Sequence, residues 1–326
     1  MNGSSDAEVA RIVRVANNEG TFLHQAVIRL LLQEMTGPRR RPGHHLYVDD
    51  VIEEYPLVFG QQLRADIIAR CSLEGPMIGG VEITLAIECK RAYLGTRKLI
   101  FLPAIQRQNR QQVRIFRRTY VGKNSPYSSA VLNSCWASIN DTGHSLTILP
   151  VSDAGMWVEV SDQRERGGTA LNDAAIQACR ATLGLIAEEK RKVAEKSFGY
   201  LERYYLPVIV TNAPLFMLDG TEGVDLATGN LHHGGVSLRT VPAVLLRHPF
   251  SRMDEGDGDP RQVGGNLDCF GENEQDPQNE IFRYKETILV ITASHLPSLL
   301  HDDDILSKIA TSILSCDRTT PARQAS

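Results

Sequence analysis

The chain of 326 residues is 42% hydrophobic and 23% charged, with a net charge of −4. That composition predicts a packed core rather than disorder and excludes a globally basic coat, so any surface for nucleic acid has to be local. Six cysteines without a C-x-x-C pair exclude a zinc or iron–sulfur cage and suit a reducing compartment. The lack of a signal-peptide pattern or of an apolar run of ~18 residues predicts a soluble cytoplasmic protein with no membrane contact.

Asp6 caps a short helix over Ala7–Ala16, so residues 1–20 read as an N-terminal helix that ends in Asn17-Asn18-Glu19-Gly20. Thr21 caps a second helix over Phe22–Met35, with Phe22, Ala26, Val27, Leu30 and Leu31 at helical spacing, and Gly37-Pro38 stops it. Arg39–Arg41 reads as a basic loop. His44–Tyr55 and Gln61–Arg70 read as strands joined in series to a third, Val81–Ala92, through a turn at Glu74–Gly80. In that third strand, VEITLAIECKRA, Ile83, Leu85, Ile87 and Cys89 alternate with Thr84, Ala86, Glu88 and Lys90. Glu88 and Lys90 therefore share a face, and Cys89 takes the other.

Leu102–Tyr120 reads as a helix whose Arg107, Arg110, Arg114 and Arg117 recur every three or four residues and so stack along one side. Ser125–Asn140 has no clear pattern, while Ser145–Pro150 and Met156–Val160 read as short strands. Thr169–Ala194 reads as a long helix with Ala174, Ala178, Ala181, Leu185 and Ile186 on its apolar side. Val208–Val210, Val241–Arg247 and Thr287–Ala293 read as buried strands, and Asp302–Asp304 caps a last helix over Ile305–Leu314. The expected organisation is one domain over residues 21–314, with insertions near 121–168 and 251–280, and a polar tail over 315–326.

An acid-x-Lys triplet occurs twice, at Glu88-Cys89-Lys90 and at Glu188-Glu189-Lys190. The second lies in a charged helical run; only the first sits on a strand. An acid and an ammonium at the end of an apolar strand are costly to bury without further partners. Asp66, inside the preceding strand and ahead of Ile67 and Ile68, supplies a second acid, which makes D-x21-E-x-K across adjacent strands. Mg²⁺ takes oxygen ligands, often one or two carboxylates plus water, and lowers the pKa of bound water beside a phosphate. Asp66 and Glu88 can supply the carboxylates, the Cys89 carbonyl can add a main-chain ligand, and Lys90 can orient water or steady phosphate charge. A structural salt bridge at a strand edge is the competing reading of the same residues.

In Asp66, Glu88 and Lys90, with a helix before them and strands and helices after, the chain resembles the PD-(D/E)XK nuclease superfamily. The resemblance implies an α/β restriction-endonuclease-like fold, a central mixed sheet flanked by helices. Ala65 stands where the family name has proline. Gly20-Thr21-Phe22-Leu23-His24 looks like the GxxxH motif of RecB-type members, in which the histidine is a metal ligand; Glu19 is the alternative N-terminal acid. Gln112–Phe116 comes near the RecB-type Gln-x-x-x-Tyr but ends in Phe. Gln177, on the helix before the apolar strand, follows the order of Mrr-like and restriction-type members.

The implied activity is Mg²⁺-dependent, or Mn²⁺-dependent, hydrolysis of phosphodiesters in nucleic acid, with DNA the leading substrate and RNA left open, in restriction or anti-phage defence. Gln177, Arg107, Arg110, Arg114 and Arg117 are the expected substrate contacts, although the arginines can equally pair with surface acids. Assembly as a homodimer, or with a partner protein of a defence system, stays open. So does a catalytically silent nucleic-acid-binding or scaffold protein on the same fold.

Overall fold

Three consecutive strands lead into the sheet as an antiparallel meander: β1 (Leu46–Pro56), β2 (Arg64–Leu73) and β3 (Gly80–Lys90). This computed structural model describes residues 21–36, 46–56, 64–73, 80–91, 97–103, 114–121, 135–138, 152–161, 170–193, 200–220, 236–248 and 286–300, with single positions at 8, 10, 11, 13 and 228. The period of two in β3 does what it predicts. Ile83, Leu85 and Ile87 are buried on one face, where helix α1 (Thr21–Thr36) adds Val27, Ile28 and Leu31 to the same core.

The chain then leaves for the far side of the sheet. It forms β4 (Arg97–Pro103), β5 (Arg114–Val121), β6 (Cys135–Ser138) and β7 (Ser152–Ser161) before helix α2 (Ala170–Val193). After α2 come β8 (Tyr200–Thr211), β9 (Leu215–Asp219), β10 (Ser237–Val241), β11 (Ala243–His248), β12 (Glu286–Thr292) and a short helix α3 (Leu296–Leu300). Among the described residues all twelve strands belong to one mixed sheet, in the order β1-β2-β3-β8-β12-β11-β7-β4-β9-β10, with β5 and β6 off this path. The protein is thus α/β, a large mixed sheet flanked by few helices. No helix among the described residues is long and apolar enough to cross a membrane.

β8 runs parallel to β3 along its whole length, from Gly80↔Leu201 to Lys90↔Thr211. On its other side β8 changes neighbour: β5 ends at Phe116↔Tyr205, and β12 begins at Leu289↔Val208. Pro207, which has no N–H for a ladder, falls in that gap, where a central strand tolerates it. Helix α2 covers the second face of the sheet. Leu171, Ala174 and Ala175 pack over β4, β11 and β12, while Ala181 and Leu185 pack over β2 and β3. Alanine on the packing side lets the helix lie close to the sheet.

The helix expected over Leu102–Tyr120 does not form. Leu102 and Pro103 end β4, and Arg114–Val121 is a strand paired with β8 and β6. The segment VRIFRRTYV is rich in β-branched and aromatic residues, which a pleated strand takes up well. A strand repeats every two residues, so the spacing of three and four no longer stacks Arg114 with Arg117. Arg107 and Arg110 lie outside the described residues. So do the expected strand at Ser145–Pro150, the loop at 251–280, the helix at Ile305–Leu314 and the 315–326 tail, and most of the 1–20 helix.

At the N-terminal end of β3, Glu82 pairs with Arg203 of β8. Arg203 Nε donates to Glu82 Oε2 at 2.7 Å, and its Nη2 approaches the same oxygen. The Arg203 side chain is 11% exposed and that of Glu82 29%, so removing the guanidinium leaves a half-buried acid without this partner. Arg203→Met is expected to lower unfolding free energy by about 1–2 kcal/mol. Urea melts check it; a loss below a few tenths of a kcal/mol would show the pair to be fully solvated.

Candidate active site

The β2–β3 ladder runs from Leu73↔Val81 to Ile67↔Ile87 and stops. β2 continues beside β1 to Arg64, and β3 continues beside β8 to Lys90. The two strands therefore part just where Asp66 and Glu88 would have faced each other. A parted ladder leaves main-chain donors to be satisfied otherwise. Cys89 N–H donates to Asp66 Oδ2 at 2.9 Å, so the Asp66 carboxylate is fixed at the mouth of the fork by the strand that carries the other acid.

Glu88 and Lys90 share the α2 face, as their alternation requires. Lys90 Nζ lies 3.3 Å from Glu88 Oε1 and donates to Gln177 Oε1 of α2 at 3.2 Å. The Glu88 side chain is 9% exposed and that of Lys90 35%, so the acid is inside and the ammonium reaches toward solvent. Burial first, then the nearby Asp66 charge, pushes the Glu88 carboxyl up to about 7, against the opposing pull of Lys90. Cys89 points the other way and packs against the α1-side core, and burial raises its thiol. Its thiol faces that core, which leaves the main chain of Cys89 on the side of the fork.

His24, on α1, reaches the site from the opposite face of the sheet. Its Nε2 lies 3.1 Å from the main-chain oxygen of Asp66, not from either carboxylate. The Gly20–His24 spacing thus brings the ring to the acid's backbone, where it pins the first residue of the fork. Glu19 lies outside the described residues. His24→Ala is expected to weaken Mg²⁺ binding while changing stability by no more than about 1 kcal/mol. Calorimetric Mg²⁺ titration beside a urea melt checks this; unchanged Mg²⁺ affinity in a folded variant would remove His24 from the site.

Asp66, Glu88, Cys89, Lys90, His24 and Gln177 therefore come together from β2, β3, α1 and α2. Of the arginines, Arg114 and Arg117 lie on β5, against the N-terminal half of β8 and away from the fork. No match is found for the chain among protein-family models, curated proteins or solved structures. The site has to be read from its own chemistry.

Two residues near it escaped the sequence reading. Arg91 follows Lys90 and is half-buried, and its buried Nη1 has no hydrogen-bond partner among the described residues. Its position directly after the acid-x-Lys triplet was the available signal. Thr211 is the register partner of Lys90, is buried, and accepts the Ala213 N–H at 3.1 Å through its hydroxyl. Nothing in the apolar run VIVT marks it.

The donor set fits a hard divalent cation. Two carboxylates lie side by side in a partly dry fork, and burial, with the Asp66 charge second, keeps Glu88 high. Among the described residues no group of three or more His, Cys, Asp or Glu is arranged to hold a metal ion. Mg²⁺ usually keeps several waters and takes one or two carboxylates, so Asp66 and Glu88 are the residues that would hold it.

Proposed function

We propose that this protein is a metal-dependent nuclease of the PD-(D/E)XK type that hydrolyses phosphodiester bonds, in DNA rather than RNA. The observation that carries the reading is the fork: β2 and β3 part at Asp66 and Glu88, and Lys90 and Gln177 meet there. The element order around it agrees with the resemblance, with a helix ahead of the acids, a mixed sheet, and a glutamine-bearing helix before an apolar parallel strand.

Asp66 and Glu88 would hold Mg²⁺ or Mn²⁺, aided by the Cys89 carbonyl and, if it turns from the Asp66 main chain, His24. When bound, such an ion lowers the pKa of water and polarises a phosphoryl oxygen. Lys90, anchored by Gln177, sets an ammonium at the edge of the fork, where it can hold the attacking water or offset charge on the phosphate. Gln177 limits the rotamers of a long side chain, which reduces the entropy lost when the ammonium acts. Arg91 adds a guanidinium for a neighbouring phosphate. Arg107, Arg110, Arg114 and Arg117 stay candidates for backbone contacts, without a shared helix face. A role in restriction or anti-phage defence follows from the resemblance and is compatible with a homodimer or a partner protein of a defence system; the cytoplasm is proposed from the cysteine usage and the lack of a signal-peptide pattern.

The Lys90–Glu88 ion pair also closes the site on itself. That favours, as a second reading, a silent nucleic-acid-binding scaffold. Incubation of single-stranded, linear duplex and plasmid DNA, and of RNA, with Mg²⁺ and then with EDTA decides between them. Cleavage that EDTA abolishes is expected; intact substrates with Mg²⁺ and with Mn²⁺ would leave the scaffold.

A further inference from the structure

The carboxyl ends of β3, β8 and β12 lie side by side. Lys90 pairs in register with Thr211, and Thr211 pairs with Thr292. Adjacent strands are ~4.8 Å apart, so Thr292 stands about 10 Å from Lys90 along one edge of the sheet. A pocket of about 540 Å³ opens at that edge, beyond the ends of β8 and β12 and beside the β10–β11 corner. Crevices outside the carboxyl ends of parallel strands are preferred places for ligands, and this volume lies within the ~300–1,000 Å³ usual for them.

The pocket is held by main-chain bonds between segments distant in sequence. Ala293 N–H donates to the Thr211 carbonyl at 2.7 Å, Thr292 N–H to the Pro242 carbonyl at 3.0 Å, and Leu99 N–H to the Pro214 carbonyl at 3.1 Å. Its walls include Ala213, Pro214, Pro242 and Ala293, small or flat apolar surfaces. Its polar side chains are neutral hydroxyls and an amide, Asn212, Thr240, Thr292 and Ser294, joined by the imidazole of His295. Among the described residues that line it there is no Asp, Glu, Lys or Arg. Such a lining suits a base and its sugar better than a phosphate, which would seek cations.

We infer that this pocket is a subsite for one nucleoside of the substrate strand, next to the phosphate held at the Asp66–Glu88 fork. The inference rests on the nuclease reading and deepens it. A pocket that takes a single base needs that base unstacked, so the substrate is a single strand or a frayed end rather than an intact duplex. Flat apolar walls accept any base face, and the neutral polar rim sets its orientation.

The test uses a fluorescently labelled oligothymidine, titrated in EDTA against the wild-type chain, Ser294→Trp and Thr240→Trp. Both positions are exposed, so the indoles fill the pocket from its rim, and circular dichroism checks that each variant is folded. Affinity is expected to fall about tenfold in each variant, the loss of one stacked and bonded nucleoside, while a blunt duplex of the same length binds all three proteins alike. Wild-type oligothymidine affinity in both folded variants would overturn the inference. DNA cleavage with Mg²⁺ is measured separately on the wild-type chain. Cleavage without any binding loss in the variants removes the subsite and keeps the nuclease. Binding loss without any cleavage keeps the subsite and removes the nuclease.

Discussion

Glu88→Gln and Asp66→Asn are each expected to lower the cleavage rate by on the order of 10²–10³-fold or more, the usual cost of losing a group that stabilises charge in the transition state. Neither should unfold the protein. Glu88 is buried, sits beside another acid and has its carboxyl raised to about 7. The protonated form is thus favoured by the fold. Its contribution to stability is fully present below the ordinary value of 4.5 and is lost as pH rises through about 7. At pH 8 the ionised acid therefore weighs against the metal-free fold, and Glu88→Gln is expected to raise stability there by on the order of 2 kcal/mol. Urea melts in EDTA at pH 5 and pH 8 measure both effects. A variant less stable than wild type at pH 8 would make Glu88 the structural half of its pair with Lys90, and the catalytic reading of the fork would fall.

Lys90→Met should also cost on the order of 10²–10³-fold in cleavage, with a distinct signature in metal binding. Lys90 is the one group that pulls the Glu88 carboxyl down, through its charge and through a hydrogen bond. Without it Glu88 moves further up, so the pH at which Mg²⁺ binds should rise as well. Lys90→Arg should not restore the rate, since a planar fork cannot replace a compact ammonium held by Gln177 at 3.2 Å. Calorimetric Mg²⁺ titrations from pH 6 to pH 9 show the shift. An unshifted pH dependence in Lys90→Met would mean that the ion pair does not govern Glu88.

Most of the site was legible because it rests on period-two strands. The alternation in VEITLAIECK placed Glu88 and Lys90 on one face and Cys89 on the other, and the structure keeps that division. Gln177 was found by its place on the helix before an apolar strand, and it meets Lys90 across a separation of 87 positions. His24 was legible as a neighbour of the site but not in its contact. A motif cannot say that a ring reaches a main-chain oxygen rather than a carboxylate. The arginine row misled because spacings of three and four imitate an amphipathic helix, while pairing with β8 decides the backbone. β4 and β9 were missed for the opposite reason. LIFL and LFML are short apolar runs without a period, and periodicity says nothing about them.

The order of the sheet also governs when the site comes into being during synthesis. The central strands β3, β8 and β12 come from residues 80–90, 200–211 and 286–292, so each pairing closes a loop of roughly a hundred residues. Non-local sheets of this kind fold slowly, because loop entropy is spent before contacts reward it. The meander β1–β3 is local and can form early, and it already carries both carboxylates. Gln177 arrives 87 residues after Lys90, and the supporting strand β8, Tyr200–Thr211, later still. A nascent chain emerging from the ribosome thus presents the two acids long before the ammonium has its anchor, and the site becomes complete only when the whole sheet has closed.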